Sequence, residues 1–418
     1  VRRLDGRIRI GNISTDLRAH EEGVNQGDVN AAEEWGYYFQ DLADDLQSVP
    51  DDQIVTIKSK DARRPAFLYV DDASVLVWVP EQQIEMLHSG EDKKEGRKIR
   101  VAEDVTKVMR DYAQENFLNW AKPKQKVMVF GVREDEQHRF TINVAGEEKE
   151  GQSEIELLGE ILEADIQSGA KQFERATGRL KMVADKIAWV CSGRNLVTVK
   201  TLKLLTESLI VSRMRAQLAT QSTMKESRLH QLDVIMAGAV KSAFGLPKLM
   251  NARLVLIEMG MRDAATILEH ETLRLFGRIR RKTAGQQVRD VFEERRKDIC
   301  NGETKGFYAK VWKIMQEEEN EGLQRQFTED SEEGEMPWSV ETWKERIGDI
   351  MKAKEKRRMR EWIEENGERK NKYQHTKQKL GQEEYVTKGS RASVARKMAF
   401  RGGAMAFRGN ATGIIIRE

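Results

Sequence analysis

Short runs of apolar residues, rich in valine, isoleucine and aromatic side chains, recur in the first 160 residues of the chain. Runs of this composition favour β-strands. The predicted strands are residues 54–57, 66–79, 126–132 and 140–144. Two longer stretches place apolar residues three or four positions apart, as one face of a helix requires. This spacing predicts helices over residues 33–46 and 101–120.

From about residue 161 the apolar positions follow helical spacing. A seven-residue repeat over residues 166–190 predicts one long helix, for which Asp165 can serve as the N-cap. A second predicted helix passes through residues 202–214, and a third ends near Gly245. A fourth extends over residues 252–279. We expect these helices to form a bundle.

The chain after residue 282 is highly charged and has few apolar residues apart from scattered tryptophans. Residues 317–335 are acidic, and residues 352–372 are mostly basic. Segments of this kind are typical of solvated helices or of disorder. We therefore predict charged helices followed by a disordered tail.

Composition restricts the class of protein. The 418 residues are 39% hydrophobic and 33% charged, which leaves enough apolar side chains for compact cores. The two cysteines, Cys191 and Cys300, provide neither a disulfide framework nor a zinc site of the usual spacing. We expect a reducing intracellular compartment, the nucleus or the cytoplasm. No apolar run is long enough to span a bilayer, so no membrane partner is expected.

Two adjacent acidic residues, Asp71 and Asp72, lie between apolar runs in the segment FLYVDDASVLV. In a tight hairpin, the two runs would pair while both carboxylates lie at the turn. Nucleotidyl transfer by two divalent ions needs carboxylates of this kind, and their hard oxygens suit Mg²⁺. An isolated Asp-Asp pair is also ordinary turn chemistry, so the pair alone leaves both interpretations open.

A second motif, GVNQGDV, begins at Gly23 and leads into the predicted helix at residues 33–46. Residues 23–42 align without a gap to the pattern GVPQGSVLSPLLFNLYINDL of reverse transcriptases of non-LTR (LINE-type) retrotransposons. The matching residues are Gly23, Val24, Gln26, Gly27, Val29, Tyr38, Asp41 and Leu42. The segment from Tyr69 to Asp72 then resembles the aromatic-x-Asp-Asp signature of that family, in the expected order.

Later segments resemble the same family in part. In KPKQKVMVF, Lys124 occupies the position of the lysine in the pattern Asn-x-x-Lys-Thr-x-Val-Met, while Ala121 and Gln125 replace its Asn and Thr. The Leu-Leu-Gly sequence ending at Gly159 resembles the Leu-Gly of the primer grip, and residues 161–279 resemble the helical thumb.

The resemblance implies a site for two-metal nucleotidyl transfer. Asp71 would bind catalytic Mg²⁺, and Asp72 would lie beside it as a second, lesser ligand. Lys124 would donate a proton near the leaving pyrophosphate, and a solvated loop lysine is the alternative interpretation. The residues implied to contact the template, the incoming deoxynucleotide and the primer end are Gly23, Gln26, Gly27 and Tyr69.

One departure from the family concerns its first acidic strand, which precedes the Gly-x-x-Gln-Gly motif by several dozen residues. Only 22 residues precede the motif here, and the surroundings of Asp5 do not resemble that strand. The chain also begins with Val1 rather than methionine. We therefore expect a fragment that does not polymerise as an isolated chain.

The resemblance implies an α+β fold in three parts. A partial palm over residues 1–160 would contain an antiparallel sheet with a β-hairpin and backing helices. An all-α thumb and connection would follow over residues 161–281, and a charged helical to disordered region over residues 282–418.

The function implied is that of an RNA-directed DNA polymerase fragment. It would act with Mg²⁺ on an RNA template, a DNA primer and deoxynucleotides. Two alternatives remain: a non-catalytic RNA-binding or scaffold protein derived from a reverse transcriptase, and a helical interaction protein that carries the hairpin motif by chance.

A basic group near the end of the fourth predicted helix offers phosphate contacts. Its members are Arg274, Arg278, Arg280, Arg281 and Lys282. The alternative is a solvated helix end whose positive charges are favoured by the helix dipole.

Overall fold

A computed structural model describes the protein over part of its length. The described residues are 4–6, 9–10, 13–14, 18–20, 66–69, 72–75, 84–87, 96–99, 102–115, 125–130, 132–144, 147–157, 159–164, 169–192, 198–221, 224–281, 286–318, 320–328, 338–370, 384–389 and 391–401. They show an α+β organisation with helices in the majority, as predicted. The chain divides into two compact units, Val1–Ile155 and Glu156–Glu418. The predicted helix at 33–46 and strand at 54–57 lie outside the described residues.

Short strands make up most of the described part of the first unit. Three antiparallel pairs join β1 to β4, β2 to β3, and β5 to β6. Their bounds are β1 (Leu4–Gly6), β2 (Arg9–Ile10), β3 (Ile13–Ser14), β4 (Arg18–His20), β5 (Ala66–Tyr69) and β6 (Asp72–Val75). Strands β5 and β6 both lie within residues 66–79, which were predicted as strand.

A four-stranded sheet of order β10-β9-β8-β7 completes the first unit's described strands. Its strands are β7 (Ile84–Leu87), β8 (Gly96–Ile99), β9 (Phe140–Val144) and β10 (Glu147–Glu150). The central pair, β8 and β9, is parallel, and the outer pairs are antiparallel. A parallel pair needs a long crossover connection. Helix α1 (Ala102–Glu115) lies in that crossover and packs on β9, where Thr106 Oγ1 donates to the Asn143 carbonyl at 3.1 Å.

The structure confirms the strand predicted at residues 140–144 and the helix predicted within 101–120. The strand predicted at 126–132 is wrong, since the residues of this segment that the structure describes form no strand beyond an isolated bridge between Val127 and Gly151. The buried side chain of Gln137 explains the difference. Its Oε1 accepts from the Val129 amide at 3.1 Å, and its Nε2 donates to the carbonyls of Val129 and Val132. The amide side chain therefore occupies backbone groups that a partner strand would need.

A short hairpin that the sequence pattern did not predict begins just before the second unit. Strands β11 (Glu154–Leu157) and β12 (Glu160–Glu163) pair with each other, and helix α2 begins only at Ala170. The carboxylate of Glu163 accepts from the backbone amides of Lys171 and Gln172 at 2.8 and 3.4 Å. Glu163 therefore satisfies backbone amides in the first turn of α2. Asp165, the predicted N-cap, lies outside the described residues.

Helices form the rest of the second unit as described. Their bounds are α2 (Ala170–Ser192), α3 (Val199–Leu205), α4 (Ser212–Leu218), α5 (Glu226–Phe244), α6 (Ala252–Glu258), α7 (Ala264–Ile279), α8 (Gln286–Cys300), α9 (Phe307–Glu317), α10 (Glu321–Thr328), α11 (Val340–Lys370), α12 (Glu384–Lys388) and α13 (Arg391–Arg401). A π-helical segment, Thr206–Val211, joins α3 to α4.

Two helix ends follow directly from local chemistry. Helix α5 ends at Gly245, whose left-handed backbone (φ 65°, ψ 31°) confirms the predicted stop. The single helix predicted over residues 252–279 is wrong, because the chain breaks between α6 and α7. Gly260 there has a φ of 59°, and Asp263 caps α7 by accepting from the Thr266 amide at 2.7 Å.

The helices of the second unit enclose two hydrophobic cores. The first joins α2 through α7 with α12 and α13; its fully buried members include Met214, Met236, Val240, Val255, Val386, Val394 and Met398. The second is rich in aromatic residues and is built largely from the segment that looked poor in apolar residues. Its members include Phe276, Phe292, Phe327, Trp343 and Ile347. The rings of Phe276 and Phe327 stack with centroids 5.6 Å apart.

Candidate functional site

The hairpin β5–β6 contains two of the residues assigned to the nucleotidyl-transfer site. Its register pairs Tyr69 with Asp72 and Ala66 with Val75. Only Val70 and Asp71 lie between the two strands in sequence, and a connection of two residues is the commonest in β-hairpins. Asp72 is therefore the first residue of β6 and lies opposite Tyr69, whereas a turn position was predicted for both aspartates.

The other residues assigned to this site lie outside the described part of the chain. They are Gly23, Gln26, Gly27, Asp71 and Lys124. The structure thus brings together Tyr69 and Asp72. The Leu-Gly segment compared with the primer grip falls at the β11–β12 hairpin, where Leu157 ends one strand and Gly159 has a φ of 84°.

Two members of the basic group around the end of α7, Arg274 and Arg280, are engaged within the protein. Arg280 is 6% exposed, its Nε donates to the Gln326 carbonyl at 2.8 Å, and its guanidinium lies over the ring of Phe292. Arg274 donates to the Glu271 carboxylate at 3.0 Å. Arg278 is exposed, and Lys282 lies outside the described residues. Phosphate binding by the whole group is therefore not supported, because Arg280 stabilises the end of α10 instead.

A buried lysine, Lys354, links three helices of the second unit. Its side chain is 2% exposed, and its Nζ lies 3.1 Å from carboxylate oxygens of Glu269 and Glu317 and 3.0 Å from Glu318. Burial opposes the charged ammonium, but the carboxylates outweigh it and raise the pKa of Lys354. This arrangement neutralises charge inside the protein and offers no open position for a ligand.

Two further titratable groups lie among the helices, the half-buried His270 and the buried Lys310. Burial, reinforced by Arg262, Arg215 and Arg274, lowers the pKa of His270 to about 4. Burial also lowers the pKa of Lys310 to about 8, which Glu269 opposes. The Nζ of Lys310 donates to a backbone carbonyl just after α4, at 3.0 Å. Lys310 thus holds the chain after α4 against α9.

A polar cavity of about 510 Å³ is lined by side chains of α5, α6, α7 and α11. Asp233 on α5 is its most buried acidic residue, at 7% exposure. Its Oδ1 accepts from the Ala264 amide at 2.7 Å. Burial raises the pKa of Asp233 to about 7; Asp263 adds to this increase, whereas the Ala264 hydrogen bond and Arg253 oppose it. Sequence reasoning missed this site because a lone aspartate on a helix carries no motif.

The described residues contain neither a candidate metal site nor a helix suited to span a membrane. No group of three or more His, Cys, Asp or Glu in the described part of the chain is arranged to hold a metal ion. Asp71 lies outside those residues, so the predicted Mg²⁺ site is not addressed by this observation. Among the helices that the structure describes, none combines the length and the apolar composition needed to cross a membrane.

The chain was also compared with known proteins. No family model, no curated protein and no solved structure matches it.

Proposed function

We propose that this chain is part of an RNA-directed DNA polymerase of the non-LTR retrotransposon type. The observation that carries the proposal is the β5–β6 pair, in which Tyr69 and Asp72 of the aromatic-x-Asp-Asp segment lie opposite each other at one end of two antiparallel strands. Tyr69 ends one strand and Asp72 begins the next. The ordered motif at residues 23–42 supports the same assignment.

Asp71 and Asp72 are the residues that would hold Mg²⁺. They fit this ion because carboxylate oxygens are its preferred ligands. When bound, Mg²⁺ supplies positive charge beside the reacting phosphate. Tyr69 would support the end of the primer, and Lys124 would give a proton to the departing pyrophosphate. Gly23, Gln26 and Gly27 would contact the template and the incoming deoxynucleotide, glycine permitting close backbone approach.

The direct test is primer extension on an RNA template annealed to a labelled DNA primer, with Mg²⁺ and deoxynucleotides. We would assay this chain and a longer natural reading frame that contains it. Loss of a metal ligand removes several kcal/mol of charge stabilisation, so Asp71→Asn should reduce extension by about 1,000-fold. A matched control is Asp51→Asn, which alters another Asp-Asp pair of the same unit and should leave extension unchanged.

Binding of the template–primer should be measured in parallel by fluorescence anisotropy. Unchanged binding with lost extension in Asp71→Asn would support the polymerase assignment. Binding by the wild-type chain and the longer frame without any extension would favour a non-catalytic RNA-binding protein. If neither binds the template–primer, both assignments are wrong.

A further inference from the structure

Three arginines lie around the imidazole of His270 in the helical unit. They are Arg215 on α4, Arg262 just before α7 and Arg274 one turn after His270 on α7. We call these four residues the arginine cluster. Burial lowers the pKa of the ring, and each of the three guanidinium groups lowers it further. No carboxylate of the described residues offsets this effect at the ring, so the electrostatic potential there is positive.

A hydrogen bond inside the arginine cluster fixes the tautomer of His270. Arg262 Nη1 lies 3.2 Å from Nδ1 of the ring, and a guanidinium group can only donate. Nδ1 therefore accepts, and the proton of the neutral ring is on Nε2. Nε2 makes no hydrogen bond with any described residue, so the half-buried ring offers one N–H donor to a ligand.

Arg215 is the member of the cluster with unused hydrogen-bonding capacity. Its Nε is buried without a hydrogen-bond partner among the described residues, and the carboxylate of Glu271 is 4.0 Å away. That carboxylate already accepts from Arg274 Nη1 at 3.0 Å. The Arg215 side chain is 35% exposed, so an anion from solvent can reach it. A partly buried guanidinium group that lacks acceptors is costly, and an anion would supply them.

Two carboxylates pair with the arginine cluster, and one positive charge remains. Glu355 on α11 lies 3.1 Å from Arg262, and Glu271 lies 3.0 Å from Arg274. Glu207 adds a weaker attraction from the π-helical segment, and it has a lysine of its own at 3.8 Å. One guanidinium group of the cluster is therefore left without a carboxylate of its own.

From this geometry we propose that the arginine cluster binds a phosphate group. The phosphate oxygens accept from Arg215, from Arg274 and from the Nε2–H of His270. The paired N–H donors of a guanidinium group match adjacent phosphate oxygens, so phosphate is favoured over chloride. The phosphate group comes from a nucleic-acid backbone or from a free phosphate ester, and the experiments below separate the two sources. The site is distinct from the proposed nucleotidyl-transfer site, because every residue that forms it belongs to the helical unit.

The first test is isothermal titration calorimetry of the full chain with inorganic phosphate, at constant ionic strength set by chloride. We expect saturable binding by the wild type. We expect the same binding by Asp71→Asn, because Asp71 belongs to the other unit. Absence of binding at about 10 mM phosphate, roughly ten times a weak Kd of about 1 mM, would refute the proposal.

Substitutions locate the binding to the arginine cluster. Arg215→Gln removes the charge and the paired donors, so affinity should fall by roughly 10-fold to 100-fold. The matched control is Arg213→Gln, which removes the same charge from an exposed side chain of α4, about 200° away around the helix. The control should bind phosphate within about twofold of the wild type. Equal affinities in the two variants would contradict the proposal.

Glu271→Gln keeps the test decisive if Arg215→Gln fails to fold. The substitution removes the carboxylate that competes for the arginines, so phosphate should bind roughly 3-fold to 10-fold more tightly. Partial unfolding cannot produce tighter binding. Unchanged or weaker binding by a folded Glu271→Gln protein would show that the arginines do not hold the phosphate group.

An oligonucleotide identifies the source of the phosphate group. The probe is an oligo(U) of about 20 nucleotides, longer than a typical single-strand site, and fluorescence anisotropy measures its binding. If Arg215→Gln weakens this binding more than Arg213→Gln does, the ligand is a nucleic-acid backbone. If the two variants bind the oligonucleotide equally while Arg215→Gln still loses inorganic phosphate, the ligand is a free phosphate ester.

Discussion

Gly277 is required by the packing of a neighbouring side chain. A Cβ at this position of α7 would lie 2.2 Å from Nε1 of Trp343, well inside the contact distance of nonbonded atoms. The same Nε1 donates to the Leu273 carbonyl at 3.1 Å, one turn earlier on α7. The indole therefore lies flat against the helix backbone, and only glycine leaves room for it.

Gly277→Ala should destabilise the protein, although alanine is the better helix former. The methyl group displaces Trp343 and breaks its buried hydrogen bond, so a loss of about 2–4 kcal/mol is expected. The control is Gly238→Ala on α5, where an added Cβ meets no atom within 4 Å. That substitution should raise stability by up to about 1 kcal/mol. Urea unfolding followed by circular dichroism measures both changes; equal effects at the two glycines would contradict the packing argument.

Asp233 gives the protein a pH-dependent stability. Its pKa rises from 3.8 to about 7 on folding, mainly through burial. Between these values the folded state holds a proton that the unfolded state releases. The stabilisation is therefore complete below pH 4 and is lost as pH rises through about 7, at roughly 1.4 kcal/mol per pH unit.

Asp233→Asn removes this titration while it preserves an acceptor for the Ala264 amide. The variant should resemble the wild type near pH 4 and gain on it by roughly 1.4 kcal/mol per pH unit up to about pH 7, where the difference levels off at a few kcal/mol. Unfolding free energies from urea titrations at pH 4, 5, 6, 7 and 8 test this expectation. A constant difference across the series would show that Asp233 has the same pKa in both states.

At the scale of elements, Lys354 connects three helices through one ammonium group. It projects from α11 to Glu269 on α7, to Glu317 at the end of α9 and to Glu318 just after it. Without the ammonium, Glu269 and Glu318 each lose one cationic partner but keep Arg358 and Arg357 at 2.7 and 3.2 Å, and Glu317 is partly exposed to solvent.

Lys354→Met should therefore cost about 1–3 kcal/mol of unfolding free energy through lost hydrogen bonds to charged groups, although methionine fills a similar volume. Lys352→Met, two residues away, replaces an exposed lysine whose contact with Asp349 is solvated, and it should change stability by less than about 1 kcal/mol. Thermal unfolding of the two variants at pH 7 provides the comparison. A Lys354→Met protein as stable as the Lys352→Met protein would show that the carboxylates are solvated in the folded state.

Elements with strong periodicity were predictable, and elements decided by a single polar side chain were not. The spacing in α5 and the stop at Gly245 are local properties of the sequence, and both are confirmed. The failure at residues 126–132 has a different cause, because Gln137 occupies the backbone groups of Val129 and Val132. Such a contact depends on which residues meet in the folded protein, and the spacing of apolar residues does not indicate this.

For the whole molecule, the α+β class could be predicted from the change in periodicity near residue 160. The aromatic core could not be predicted, because long charged stretches separate Phe292, Phe327 and Trp343 in the sequence. Nothing in the sequence pattern shows that these side chains pack together. Of the candidate sites, the pairing of β5 with β6 was expected from the sequence. The cavity around Asp233 could not be predicted, because four helices contribute to it and no single segment of the chain contains it.

The contact between Leu273 and Trp343 also has a consequence for synthesis of the protein. The two residues are 70 positions apart, so the ribosome adds the tryptophan roughly 4–14 s after the leucine at about 5–20 residues per second. During that interval the face of α7 around Phe276 has no partner from α11. The nascent chain therefore presents an uncovered aromatic surface for several seconds, which is long enough for a chaperone to bind it or for neighbouring chains on the same message to associate.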